Sequence, residues 1–71
     1  MTNIIKLNKT ISKDAENFEF PAPTNAIITE DIIWFNDNKQ AVIRVFGTKQ
    51  LRFINLSDIK YICLLNQFTG E

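Results

Sequence analysis

The chain contains no histidine and a single cysteine, Cys63. Without histidine, neither the serines nor the thiol has the usual general base beside it, so the common kinds of nucleophilic catalysis are excluded. One cysteine cannot form a disulfide within the chain, and without histidine it cannot form a zinc site of ordinary type. The sequence therefore predicts a protein that is not an enzyme and that holds no cofactor or metal. We expect Cys63, which stands among aliphatic residues, to pack in the core.

Glycine and long apolar runs are scarce as well. The two glycines, Gly47 and Gly70, are too few and too far apart for a glycine-rich phosphate loop. Polar residues interrupt each apolar run before it reaches the length of a membrane span, and the first residues lack the apolar segment of a signal peptide. We therefore expect a soluble protein without a membrane partner, located in the cytoplasm or packaged in a virion.

A chain of 71 residues is one domain near the lower size limit for independent folding. We treat residues 1–71 as a single small β domain, in which residues 1–24 supply a first strand and an extended arm and residues 25–71 supply the sheet. Apolar burial in so small a core roughly balances the entropy that is lost on folding. With disulfides and metals excluded, homo-oligomerisation or docking on a protein partner is the remaining source of stability.

Acidic and basic residues are separated along the sequence, although the formal net charge is zero. Six acids and no base lie between residues 14 and 38, and five bases with one acid lie between residues 39 and 60. Two interpretations stay open. Either the charges pair within the monomer, or they form complementary patches that guide association with another copy or with a partner.

β-branched and aromatic runs predict three antiparallel strands in the second half of the chain. They are expected at residues 32–35, 41–46 and 50–56, separated by the turn formers NDNKQ and GTK. Residues 25–30 either lead into the first of these strands or form a separate short strand that is broken by a bend at the acidic pair Glu30 and Asp31.

Both ends of the chain carry β patterns too. Ile5, Leu7 and Ile11 share one parity of alternation, which predicts a first strand. Residues 57–66 alternate as a strand does but also carry the spacing of a helix, and we favour the strand. The predicted fold is all-β or mainly β, a small antiparallel sheet or an SH3-like barrel of roughly four to six strands with an extended proline-containing N-terminal arm.

The arm is predicted from Pro21 and Pro23, because proline removes a backbone donor and holds the preceding residue extended. Such a segment suits an edge strand or a surface arm and argues against a central strand. Phe18 and Phe20 stand just before the prolines. Either they cap the open end of the small core, or they lie on a neighbouring subunit.

The turn before the last of the three strands decides which side chains share a face. A three-residue loop at residues 47–49 would pair Ile43 with Phe53 and place Arg44 opposite Arg52. A two-residue turn at residues 48–49 would pair Arg44 with Phe53 instead. We favour the three-residue loop. The expected core then contains Trp34, Ile43, Val45, Leu51 and Phe53.

In the favoured register one face combines arginine with aromatic and aliphatic side chains, which is typical of a protein-contact surface. We therefore predict a non-catalytic structural, assembly or adaptor subunit that acts through protein–protein contacts, with a phage or virus particle as one setting. Its partner is a second copy or another protein. The predicted partner-binding residues are Arg44, Arg52, Phe46, Lys49, Trp34, Phe18 and Phe20.

Two alternative functions stay open. Arginine, lysine and aromatic residues on a strand platform also hold phosphates and stack bases, so a small β-barrel that binds nucleic acid is the first alternative. The zero net charge makes nucleic acid the less favoured partner. The second alternative is an inhibitor that occupies a host enzyme, which would present the same contact features and differ only in its partner.

Overall fold

The computed structural model describes residues 2–48 and 50–70, and for residues 31–34 it describes the backbone alone. Two short 3-10 turns, Leu56–Asp58 and Leu65–Gln67, flank the last strand. The predicted mainly β class and the predicted number of strands are confirmed, and the ambiguous segment near the end of the chain is a strand, as favoured. The five strands are β1 Asn3–Lys13, β2 Glu19–Phe35, β3 Gln40–Val45, β4 Leu51–Asn55 and β5 Ile59–Leu64.

All five strands join one antiparallel sheet in the order β4-β3-β2-β1-β5. The first four strands follow one another as hairpins, and β5 returns to pair with β1. In the described part of the chain β4 and β5 remain edge strands, so the sheet is open and is not closed into a barrel. Of the two architectures expected from the sequence, the structure therefore has the open sheet.

Curvature of the sheet creates the core. The Cα trace extends over 28 × 22 × 22 Å, whereas a flat sheet would be a thin single layer. Inward side chains of β1 to β4 therefore meet inside the curl, and partly buried residues such as Ile11 pack against them. The predicted parity of the first strand is thus confirmed. The buried cluster consists of Ile5, Leu7, Ile27, Ala41, Ile43 and Ile54.

The long strand β2 has two different neighbours along its length. Its pairing with β1 extends to Thr29, and its pairing with β3 begins at Thr29. The β2–β3 ladder shifts between Thr29 and Asp31, where the acidic pair is expected to bend the chain. Pro21 and Pro23 lie in the first half of β2. Within the described residues, this half pairs with β1 along one edge and with no strand along its other edge. The proline segment is therefore extended and has a free edge, as proline requires.

The β3–β4 register differs from both predicted turns. The structure pairs Arg44 with Leu51 and Val42 with Phe53. Since a slip of one residue moves each side chain of a strand to the other face, the prediction that Arg44 lies opposite Arg52 is wrong.

The cause lies between the end of β3 at Val45 and the start of β4 at Leu51. The N–H of Val45 donates to the carbonyl of Gln50 at 3.3 Å, so pairing across the turn is shifted by one residue from the favoured register. Phe46 leaves the β3–β4 ladder, while its N–H still donates to the carbonyl of Ile28 on β2 at 3.0 Å. Leu51 is consequently 37% exposed, against the prediction that it is buried. Ile54 turns inward and is buried in its place, and Ile43 is fully buried as expected.

Candidate protein-contact site

The two arginines of the predicted contact face lie on different faces of the sheet. Arg44 is the register partner of Leu51 on β4 and of Asp31 on β2. Arg52 is the register partner of Ile43. Because side chains alternate along a strand, neighbouring register pairs project to opposite faces. The structure therefore does not bring the two arginines together, and their part in binding stays a prediction.

Arg52 instead contacts Phe18 in the loop between β1 and β2. The guanidinium carbon of Arg52 lies 5.5 Å from the centroid of the exposed Phe18 ring, a cation–π distance. Two further bonds fix the guanidinium: Nη2 donates to Oε1 of Gln50 at 2.7 Å, and Nη1 donates to the carbonyl of Leu51 at 3.1 Å. Two of the predicted contact residues thus meet at the outer edge of β4.

The same loop also supplies hydrogen-bond partners to the outer edge of β4, through its backbone and through Asp14. The buried carboxylate of Asp14 accepts the N–H groups of Glu16 at 2.8 Å and Phe18 at 3.0 Å with Oδ1. Its Oδ2 accepts the N–H of Phe53 at 3.3 Å. The N–H of Ala15 donates to the carbonyl of Phe53 at 2.8 Å. Both backbone polar groups of Phe53 therefore have partners in the loop.

Phe20 and Phe46 come together on another surface. They line an apolar groove of about 320 Å³ beside the first half of β2, which we call the contact groove. Phe46 is 55% exposed and Ile28 is 40% exposed, whereas Phe20 is half-buried and packs against the core. The groove walls include Phe20, Pro21, Ala26, Ile28, Val45 and Phe46.

The edge of β2 along this groove is protected against pairing with a further strand. The hydroxyl of Thr24 donates to the carbonyl of Ala26 at 2.6 Å and accepts the N–H of the same residue at 3.3 Å. Pro21 and Pro23 carry no N–H. A strand added at this edge would therefore lack its usual backbone partners. The groove consequently offers side-chain contact in preference to strand addition.

Two of the predicted contact residues cannot be assigned to either surface. Lys49 lies outside the described residues. So does the side chain of Trp34, which the sequence also places in the core.

Three further observations concern metal binding, the thiol and membrane spans. Within the described residues, no group of three His, Cys, Asp or Glu side chains is placed to hold a metal ion. Cys63 is half-buried on β5, opposite Ile4 of β1. In the same part of the chain, no helix has both the length and the apolar character needed to cross a membrane.

Sequence reasoning missed the groove as a unit, because its walls come from two segments whose register was not known. Ala26 and Ile28 carry no special signal in a strand of mixed residues. The available signal was the pair of prolines, which marks a free edge, together with Phe46 directly before Gly47, which places an aromatic ring at a turn.

Comparisons of the chain with protein-family models, with curated protein sequences and with solved structures find no match. Function is therefore inferred from the geometry alone.

Proposed function

We propose that this protein is a non-catalytic assembly subunit that binds a second copy of itself through the contact groove. The observation that supports the proposal is the concave apolar surface in which Phe46 and Ile28 are exposed. Large apolar side chains gathered in one exposed surface are typical of protein-contact sites. Aromatic side chains that fill such surfaces contribute much of the binding free energy.

Features of the chain itself favour a second copy as the occupant. Phe46 lines the groove and is itself 55% exposed, so two copies related by a two-fold axis can each place Phe46 against Phe20 and Ile28 of the other. The added burial would stabilise a domain whose own core is small. A self-complementary dimer of this kind suits the building unit of a larger assembly, for which a virus particle is one setting.

The protected β2 edge supports the same proposal. An unprotected edge beside an apolar groove would promote open-ended strand pairing and aggregation. Here Thr24 and the two prolines leave side-chain packing as the means of contact. Copies that pack through side chains about a two-fold axis form a closed dimer.

Size-exclusion chromatography with light scattering tests the proposal. We expect the wild-type chain to form a dimer at about 10 μM and above, because a small apolar interface gives an affinity in the micromolar range. Phe46→Ala removes the exposed ring and should convert the dimer to a monomer. The midpoint of urea unfolding of the Phe46→Ala monomer should stay close to that of dilute wild type, because much of the ring is exposed.

Phe35→Ala is the matched control, because Phe35 is 58% exposed at the opposite end of β2 and does not line the groove. This variant should remain a dimer. A wild-type chain that stays monomeric, or equal dissociation of the two variants, would show that a second copy does not occupy the groove. A wild-type monomer that binds a different protein through Phe46 would support the adaptor or inhibitor role instead.

A further inference from the structure

The outer edge of β5 differs from the outer edge of β4 and from the proline-containing edge of β2. Within residues 2–48 and 50–70, β5 pairs with β1 on one side and with no strand on the other. Its sequence, IKYICL, contains no proline and no glycine, and Lys60 is its one charged residue. A largely apolar strand with an open edge is suited to pairing with another chain.

The pairing with β1 shows which backbone groups of β5 point outward. The N–H of Leu65 donates to the carbonyl of Thr2 at 3.1 Å. The next residues continue in the same register, with Asn3 opposite Leu64. In an antiparallel ladder, pairs that bond each other directly alternate with pairs that do not. The backbone N–H and carbonyl of Leu64 therefore point away from β1.

The same alternation applies to the two preceding residues of β5. Cys63 lies opposite Ile4 and bonds β1 directly, whereas Ile62 lies opposite Ile5 and does not. The backbone groups of Ile62 thus lie along the outer edge with those of Leu64. In the part of the chain that the structure describes, no hydrogen bond to these outward groups is found.

A second copy of the chain offers one edge that matches this one. At β4, the loop between β1 and β2 already bonds both polar groups of Phe53. At β2, Thr24 and the two prolines disfavour strand addition. Among the free edges of the described sheet, β5 is therefore the one that can accept a strand, and its counterpart in a second copy is another β5.

We infer that the outer edges of β5 from two copies pair as antiparallel strands about a two-fold axis centred on Ile62. Residues whose backbone groups point outward then lie opposite one another, because Ile62 faces Ile62 of the second copy. Centring on Ile62 pairs residues 60–64 of both copies, whereas centring on either end of the strand would pair fewer. It also places Lys60 opposite Leu64, so that like charges do not meet.

This pairing supplies a contact that the proposed dimer lacks. A dimer closed through the contact groove leaves no groove free, so a larger assembly needs a second interface. The residues of β5 lie outside the groove lining. The inference rests on the proposed function for its place in an assembly, but the pairing itself does not require the groove.

The shared edge is short, because the ladder between β1 and β5 shifts beside Lys60. So small an interface gives weak binding, and we expect a Kd of about 1 mM. The groove dimer should therefore form at much lower concentrations than the β5 pair.

Hydrogen exchange measured by NMR tests the pairing in the Phe46→Ala variant. This variant removes the groove contact, so failure of the proposed function does not affect the result. Samples at about 50 μM and about 2 mM are compared, and exchange of the Ile62 and Leu64 amides should be about twofold slower in the second, since about half of the chains are then paired. The Cys63 amide, which faces β1, is the internal control and should exchange at one rate in both samples.

Two matched variants in the same background test the register. Leu64→Lys and Leu64→Glu both replace the same apolar side chain with a charged one, but they place opposite charges near Lys60 of the second copy. Each such contact occurs twice about the two-fold axis. Leu64→Glu should therefore pair about tenfold more tightly than Leu64→Lys.

Equal exchange rates of the Ile62 and Leu64 amides at the two concentrations would overturn the inference and leave the edge to a different partner. Equal slowing of the Cys63 amide would also overturn it, because the effect would then extend to the whole chain. Equal affinities of the two Leu64 variants would exclude the register centred on Ile62.

Discussion

The outer edge of β4 and the proline-containing edge of β2 are protected in different ways. At β4, the loop between β1 and β2 supplies backbone and carboxylate partners to both polar groups of Phe53. At β2, a single hydroxyl, that of Thr24, bonds both polar groups of Ala26, and two prolines remove donors. The first edge is covered by another part of the chain, whereas the second is uncovered and carries the contact groove.

Under the proposed function, this difference lets a small sheet separate stability from binding. Covering β4 joins the first hairpin to the fourth strand, so its hydrogen bonds stabilise the whole fold. We expect the protected edge of β2 to contribute less to stability, because a single side chain bonds it, while its apolar surface stays accessible without favouring strand addition. Substitutions at the covered edge should therefore change the free energy of unfolding, and those at the uncovered edge should change association more.

The largest effect is expected from Asp14→Ala at the covered edge. It removes the buried carboxylate that accepts three partly buried backbone N–H groups. Bonds to a charged acceptor are stronger than average, so the free energy of unfolding should fall by about 2–4 kcal/mol. Urea unfolding followed by tryptophan fluorescence measures this loss.

Asp37→Ala provides the control, because Asp37 is an exposed aspartate in the turn between β2 and β3. Its cost should stay below about 0.5 kcal/mol. Similar small losses in both variants would show that the loop does not stabilise the β4 edge.

An intermediate effect is expected from Thr24→Val at the uncovered edge. Valine has nearly the shape of threonine but cannot bond the N–H and carbonyl of Ala26. We expect a loss of about 1 kcal/mol in stability, faster hydrogen exchange of the Ala26 amide, and light scattering that rises with concentration as the edge becomes open to strand pairing. Thr24→Ser keeps the hydroxyl and should behave as wild type. If hydrogen exchange and light scattering are unchanged in Thr24→Val, the prolines by themselves protect this edge.

The smallest effect is expected from the cation–π contact between Arg52 and Phe18. Phe18→Leu keeps an apolar side chain but removes the ring, and should cost about 0.5 kcal/mol because the ring is exposed. A double-mutant cycle with Arg52→Gln isolates the interaction between the two side chains. Strictly additive losses of stability in the cycle would show that the interaction between the Arg52 guanidinium and the Phe18 ring does not stabilise the fold.

The strands could be predicted because their residues carry local signals. Alternation placed Ile5 and Leu7 on the inner face of β1, and the apolar run at residues 41–43 marked the buried strand β3. The turn formers of residues 36–40 also act as expected: Oδ1 of Asn36 accepts the N–H of Asn38 at 3.1 Å and the N–H of Gln40 at 3.0 Å. These features depend on residues close together in sequence.

The candidate site could be predicted only in part, because it depends on pairings between distant segments. Phe20 and Phe46 have the residue type of a contact surface, but they meet only because β2 pairs with β1 along its first half and with β3 from Thr29 onward. Asp14 and Phe53 are 39 positions apart, and no local pattern links them. The β4 register was missed because Phe46 donates its N–H to Ile28 of β2 and does not pair with β4. This bond depends on β2, so the sequence of the turn does not reveal it.

The pairing of β1 with β5 has a consequence for synthesis of the chain. It joins Ile5 to Ile62, whereas the other strand pairs join neighbours in sequence. Contacts that close a long loop form late in folding, because the loop entropy must be lost before they contribute. On the ribosome, β1 to β4 can therefore assemble while β1 still has one bare edge. Until β5 emerges, that edge is where the nascent chain is most open to pairing with another molecule.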